Sequence, residues 1–146
     1  MGEVDRVETA ERLGRSRSRI FFMMAFVLFA QQAVYLASPE ASRSPFQIGA
    51  WFIIILLMLL LIATGGFLLK GRKVWDLLND ETSRMNRAAS QAVGFWMTML
   101  TAMFIYVDSM FEAVSLNEAL HIIVTVGVGA ALISFAARER RAHQLG

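Results

Sequence analysis

The positively charged residues of this chain are distributed unevenly around four apolar segments. These segments are residues 20–36, 46–69, 88–110 and 120–137. Thirteen of the fourteen Lys and Arg residues lie before the first segment, between the second and third, or after the fourth, and only Arg43 lies in another connection. Membrane proteins keep an excess of Lys and Arg in their cytoplasmic loops. The pattern therefore predicts a multi-pass protein of four membrane spans, with both termini in the cytoplasm.

The lengths of the segments favour helices. The hydrocarbon core of a bilayer is about 30 Å thick, and about 20 helical residues at roughly 1.5 Å each cross it. Backbone groups in lipid must also form their hydrogen bonds within the segment. The chain has 146 residues, of which 56% are hydrophobic, so no soluble domain fits beside the spans. We therefore predict an all-α membrane protein, a four-transmembrane-helix bundle of two antiparallel hairpins.

The polar segments are expected on the cytoplasmic side. They are the N-terminal segment 1–19, the loop 70–87 and the tail 138–146, around a transmembrane domain of residues 20–137. In the first, we expect a short helix that Gly14 ends, because glycine is a poor helix former. Arg17 belongs to a basic collar, Arg15-Ser-Arg-Ser-Arg19, which suits anionic lipid headgroups.

The cytoplasmic loop 70–87 holds three candidate contacts for lipid or for a cytoplasmic protein partner. Trp75 suits the headgroup level of the bilayer. Asp80 is a good N-cap, so the third helix is expected to begin near Glu81. Arg84 and Arg87 would then lie on a part of this helix that projects from the membrane.

The fourth segment begins with a helix cap and continues with small residues. Ser115-Leu-Asn-Glu118 matches the S-x-x-E capping box, in which Ser115 caps the helix. Gly127 and Ala131 form a small-xxx-small face, which lets another helix backbone approach closely. This face suits either packing within the chain or a partner helix. As partners besides the lipid bilayer, we expect a second copy of the chain or another subunit of a membrane complex.

Polar side chains gather at the ends of the spans that face away from the cytoplasm. They are Gln31, Gln32, Asp108, Glu112, Glu118 and His121. Asp108 and Glu112 share one helix face, and Glu118 and His121 share another. Because polar groups at this depth are costly unless paired, the cluster predicts a ligand-binding or proton-binding site. The alternative is that the acids are solvated and that His121 is hydrogen-bonded to Asp108 or Glu112.

The sequence predicts neither a metal nor a cofactor. Glu118-x-x-His121 is an element of di-iron bundles, but these need two such elements, and the chain has one. There is no Cys and there are only two His, of which His143 lies in the tail, which excludes thiolate sites and a bis-histidine haem. The net charge of +2 reflects topological anchors, so no nucleic acid is expected. No catalytic constellation is present, and we do not expect an enzyme.

The segment from Asp80 to Ala88 reads DETSRMNRA and continues to Gly94-Phe-Trp96. An acidic pair followed by an Arg-Ala step at the start of a membrane helix resembles a group of small bacterial membrane proteins of unknown function. The resemblance implies a four-helix protein of the bacterial inner membrane.

Two functions fit these patterns. The first is a non-enzymatic integral membrane subunit or interaction protein, which packs with partner helices through Gly127 and Ala131. The second is a small sensor or transporter that uses the acidic and histidine side chains of the outer end.

Overall fold

The described residues form four long helices. The computed structural model describes residues 3–37, 45–64 and 81–142, with most side chains from residue 16 onward, and these ranges contain no strand. The helices are α1 (Glu3–Ala37), α2 (Pro45–Thr64), α3 (Glu81–Asp108) and α4 (Leu116–Ala142). Each contains a stretch that is long and apolar enough to cross a membrane. The prediction of an all-α chain with four such helices is confirmed.

Helix α1 is longer than the sequence suggested. It has 35 residues and continues through Gly14, so the prediction that the helix ends there is wrong. A glycine inside a helix costs only about 1 kcal/mol relative to alanine, and the residues around it are mostly good helix formers. At about 1.5 Å per residue, α1 is about 52 Å long, well beyond the roughly 30 Å of the hydrocarbon core.

Helix α4 is the centre of the bundle. Half of its apolar stretch is buried, against 11% for that of α3. Its main neighbours are α1 and α3, while α2 makes fewer contacts, with α4 and α3. The core joins side chains of α1, α2 and α4, and the rings of Phe21 and Phe135 lie 4.6 Å apart between their centroids. Thus α1 packs mainly on α4, the last helix of the chain, rather than on α2, which follows it.

The small-residue face of α4 is covered by α3. A Cβ added at Gly94 would lie 2.8 Å from the Cβ of Ala131 and 2.9 Å from the carbonyl oxygen of Gly127. A Cβ added at Gly127 would overlap the hydroxyl of Thr98. The two backbones therefore approach closely because neither Gly94 nor Gly127 has a side chain. Of the two uses that the sequence left open for Gly127 and Ala131, the structure shows packing within the chain.

The ends of α3 and α4 match their predicted signals. Helix α3 begins at Glu81, as expected, while its predicted cap Asp80 lies outside the described residues. Residues 109–115 connect it to α4, which begins at Leu116. The backbone N–H of Glu118 donates to the Ser115 hydroxyl at 3.2 Å. The predicted N-cap is confirmed, and it satisfies one of the amide groups that a helix start leaves unpaired.

Candidate functional site

A group of polar and aromatic side chains is enclosed between α1, α2 and α4. Gln32 and Tyr35 come from α1, Trp51 from α2, and His121 and Thr125 from α4. We call these five residues the Gln32–His121 cluster. Gln32, His121 and Thr125 are only 8%, 6% and 0% exposed. Each helix brings its residues onto one face, since spacings of three and four residues place side chains one above the other.

The amide of Gln32 links the two α4 side chains. Its Oε1 accepts a hydrogen bond from the Thr125 hydroxyl at 3.1 Å and lies 3.3 Å from Nδ1 of His121. An amide oxygen cannot donate, so the hydrogen of this second bond must be on Nδ1. The neutral imidazole is therefore the Nδ1–H tautomer, and a further proton would bind at Nε2.

The imidazole ring of His121 is stacked between two aromatic rings. Its centroid lies 3.9 Å from that of Tyr35, with the planes 3° apart, and 3.8 Å from that of Trp51, with the planes 28° apart. Each face of the ring is thus covered by a side chain from a different helix. Trp51 is half-buried and packs on His121.

Three atoms around the cluster are buried without a hydrogen-bond partner among the described residues: Oε1 of Gln31, Nε2 of Gln32 and Nε1 of Trp51. Buried polar atoms are nearly always hydrogen-bonded in folded proteins. An unpaired amide or indole group costs free energy, and the cost is highest where no water is present. These three atoms therefore mark the cluster as a place where a small polar molecule would be stabilised.

The acidic candidates are not part of the cluster. Asp108 and Glu112 are exposed, and Glu118 is half-buried at the start of α4. The hydrogen bond of His121 that the structure shows is to Gln32, a partner that the sequence did not predict. Within the described ranges, no three His, Cys, Asp or Glu side chains lie close enough together to hold a metal ion.

A second polar group lies at the other end of the helices. Gln32 follows Arg17 by 15 residues on α1, which is about 22 Å along the axis. Arg17 Nη1 lies 3.7 Å from Glu139 Oε2, and Nη2 donates to the Ser83 hydroxyl at 3.3 Å. The guanidinium also lies 4.9 Å from the ring centroid of Phe135. Arg17, predicted as part of a basic collar, therefore joins α1 to α4 and α3.

The three cytoplasmic candidates have different outcomes. Arg84 is exposed. Arg87 is half-buried and donates from Nη1 to the carbonyl oxygen of Ala63 at 3.4 Å, which connects α3 to the last turn of α2. Trp75 lies outside the described residues. The structure thus gives Arg87 a contact within the bundle.

Sequence reasoning found part of the cluster. Gln32 and His121 were predicted as site residues, and the predicted Gln31 lies beside the cluster. Tyr35, Thr125 and the role of Trp51 were missed. A signal was available, because Tyr35 follows Gln32 by three residues and Thr125 follows His121 by four, so each pair shares a helix face. The stacking of Trp51 on His121 had no comparable signal, since it depends on how α2 packs against α4.

The chain was compared with protein-family models, with curated proteins and with solved structures. None of the three comparisons gives a match. The resemblance of residues 80–96 to small bacterial membrane proteins therefore stays a prediction.

Proposed function

We propose that the protein is a small, non-enzymatic membrane sensor whose stimulus acts on the Gln32–His121 cluster. The observation that best supports this proposal is the buried His121, which is hydrogen-bonded to Gln32 and stacked between two aromatic rings. In a membrane helix, polar and ionisable side chains are costly, and they commonly mark functional sites. The unpaired atoms of Gln31, Gln32 and Trp51 support a stimulus that is small and polar.

The proposed topology has four spans in the inner (plasma) membrane, with both termini in the cytoplasm. It is supported by the concentration of Lys and Arg in 1–19, 70–87 and 138–146, the connections that would face the cytoplasm. In this orientation, Arg17 and Glu139 lie near the cytoplasm and the Gln32–His121 cluster lies near the outer surface. The stimulus would then reach the cluster from outside the cell.

Helix α2 is the element best placed to respond. It contacts the rest of the bundle less than any other helix, and Trp51 is its one residue in the cluster. Its other end receives the hydrogen bond from Arg87 to Ala63. A sensor needs an element with two arrangements that the stimulus biases. We infer that the stimulus changes the packing of Trp51 on His121, and with it the position of α2.

A second candidate function is that of a membrane subunit. Because α3 fills the Gly127 face, partner helices would bind elsewhere, and the apolar stretch of α3 is the least buried of the four. Phe95 and Trp96 on this helix are 57% and 64% exposed and their rings meet edge to face. Such a surface suits a partner helix or a second copy of the chain. A change of Trp96 to Ala would then reduce the complex size on a native gel.

The sensor proposal can be tested by distance measurements, because the chain has no Cys and introduced cysteines are the only labelling sites. Spin labels at Phe46→Cys and Leu116→Cys, both exposed, report the separation of α2 from α4 in lipid nanodiscs. We expect two distance populations whose ratio depends on the outside solution, scanned over about pH 5 to 8 and over added salts and amino acids.

Matched variants decide whether the response belongs to the cluster. Gln32→Leu removes the central acceptor and should abolish the change in the Phe46–Leu116 distance. Asp108→Asn removes an exposed acid and should leave the change intact. A single distance population under every condition would rule out the sensor. If Asp108→Asn removes the response and Gln32→Leu preserves it, the stimulus acts on the exposed acids and not on the Gln32–His121 cluster.

Topology has its own test. Single cysteines at Ser16 and Phe111, both exposed, are treated in intact cells with a thiol reagent that cannot cross the membrane. We expect labelling at position 111 only, with position 16 labelled after the cells are permeabilised. The opposite result would invert the proposed orientation.

A further inference from the structure

The imidazole ring of His121 is hydrogen-bonded through Nδ1 and stacked between two aromatic rings. We propose that the stimulus is a proton, which binds Nε2 of His121 and is held as an imidazolium between the rings of Tyr35 and Trp51. This inference rests on the proposed sensor function. It adds the identity of the stimulus, the atom that binds it and the side chains that stabilise the bound state.

The position of the added proton follows from the hydrogen bond to Gln32. The Nδ1 hydrogen is already directed at Gln32 Oε1, 3.3 Å away. Protonation therefore occurs at Nε2 and does not break this bond. The same bond becomes stronger, because a charged donor makes shorter and stronger hydrogen bonds than a neutral one. Thr125, which donates to the same oxygen at 3.1 Å, orients the amide for this role.

The aromatic rings give the charged form its second stabilising contact. A cation within about 6 Å of an aromatic centroid is attracted to the negative face of the ring, and the attraction increases when water is excluded. The centroids of Tyr35 and Trp51 lie 3.9 and 3.8 Å from that of His121, on its two faces. Neutral imidazole gains less from the same contacts, so the rings offset part of the cost of burying a charged imidazole.

The charged and titratable groups around the ring are few. Helix α1 contributes the phenol of Tyr35, and α2 has no charged residue between Pro45 and Thr64. On α4, Glu118 lies one turn before His121 and is half-buried, while Asp108 at the end of α3 is exposed. Glu118 and Asp108 are both acids, so the charge that they can carry is of the sign that stabilises an imidazolium.

The direct test uses the fluorescence of Trp51. Trp75→Phe and Trp96→Phe leave it as the single indole, since the chain has three Trp. A protonated imidazole in contact with indole quenches its emission, so acidification in nanodiscs should reduce the signal along one titration curve. The midpoint is expected in the histidine range of about pH 5 to 8. His121→Gln should abolish the curve, and Asp108→Asn should leave it unchanged.

Two variants at Tyr35 test the aromatic contribution. Tyr35→Phe keeps the ring, so its midpoint should match that of the natural chain. Tyr35→Leu keeps an apolar side chain but removes the ring. Its proton affinity should fall about 2- to 30-fold, which moves the midpoint down by about 0.3 to 1.5 pH units. Equal midpoints for Leu and Phe would overturn the role of the rings.

An independent measurement covers the case in which a Tyr35 variant does not fold. His143→Gln leaves His121 as the single histidine, because the chain has two. Nitrogen NMR of the labelled ring should show the Nδ1–H tautomer at high pH and the charged ring at low pH. A ring that stays neutral throughout, or an Nε2–H tautomer, would overturn the proposal.

The proton site and the sensor function fail in different ways. If Trp51 and His121 show no titration but the Phe46–Leu116 distance still responds to another solute, the sensor remains and the proton is excluded. If the titration is present and the distance never changes, His121 binds a proton but α2 does not respond.

Discussion

Replacing Gly127 by Ala tests the contact that holds α3 against α4. The new methyl group would overlap the hydroxyl of Thr98 and lie 3.2 Å from its Cβ. The hydroxyl cannot move away freely, because it donates to the carbonyl oxygen of Gly94 at 2.8 Å. We therefore expect the variant to separate the two helices or to displace the Thr98 side chain. Either outcome lowers the free energy of unfolding.

The expected loss in the free energy of unfolding of Gly127→Ala is the sum of three contributions. Overpacking of this kind costs about 1–3 kcal/mol, and loss of the Thr98 hydrogen bond costs about 0.5–1.5 kcal/mol. Alanine gains about 1 kcal/mol over glycine in helix propensity. The net loss in the free energy of unfolding should be about 0.5–3.5 kcal/mol. Adding Thr98→Ala removes the obstructing hydroxyl, so the double variant should recover most of this loss.

The assay is unfolding by SDS in mixed micelles, followed by far-ultraviolet circular dichroism. Gly49→Ala is the matched control, because a Cβ at Gly49 would meet nothing within 4 Å. It should leave stability unchanged or raise it by up to about 1 kcal/mol. A Gly127→Ala variant as stable as the natural chain, or one that Thr98→Ala does not rescue, would refute the close approach of α3 and α4.

Three further variants probe the cap and the two polar groups, with the same unfolding assay. Ser115→Ala should cost about 1 kcal/mol through loss of the cap, whereas Ser115→Asp should stay within a few tenths; equal losses would exclude a capping role. Gln32→Leu leaves the donors of Thr125 and the imidazole without their acceptor, and should cost about 1–3 kcal/mol; an unchanged midpoint would argue against that bond. Glu139→Gln leaves the guanidinium of Arg17 buried without its countercharge, and should cost about 3 kcal/mol. Replacing both members of this pair by apolar residues should recover much of the loss, and a double variant no more stable than the single one would contradict the pairing.

Sequence patterns predicted the helices well, because helix formation depends mainly on residues that are close in the sequence. The apolar runs, the start of α3 at Glu81 and the cap at Ser115 are of this kind. Gly14 was misread because a local preference of about 1 kcal/mol was given more weight than its helix-forming neighbours. The inward position of Arg17 depends on Glu139 and Ser83, which are 122 and 66 positions away in the chain.

The Gln32–His121 cluster was also predicted only where the signal is local in the sequence. Depth in the span and residue type were enough to indicate Gln31, Gln32 and His121. The acids Asp108 and Glu112 were grouped with them because helix periodicity places each on a face, but periodicity does not say which faces meet. That Gln32 would contact Thr125, 93 positions later, is decided by the packing of α1 on α4.

The central position of α4 has a consequence for biosynthesis. A membrane protein is inserted as it is translated, so in the proposed topology the first three helices would enter the bilayer before their main packing partner has been made. The Ser18 hydroxyl donates to the carbonyl oxygen of Ala136, which is made 118 residues later. Gln32 likewise lacks its donor Thr125 until α4 has been made. A ribosome that stalls before α4 would leave these polar groups of α1 in lipid without the partners that the finished bundle supplies. Truncated chains should therefore be substrates for membrane quality control, and the bundle should close only when its last helix leaves the translocon.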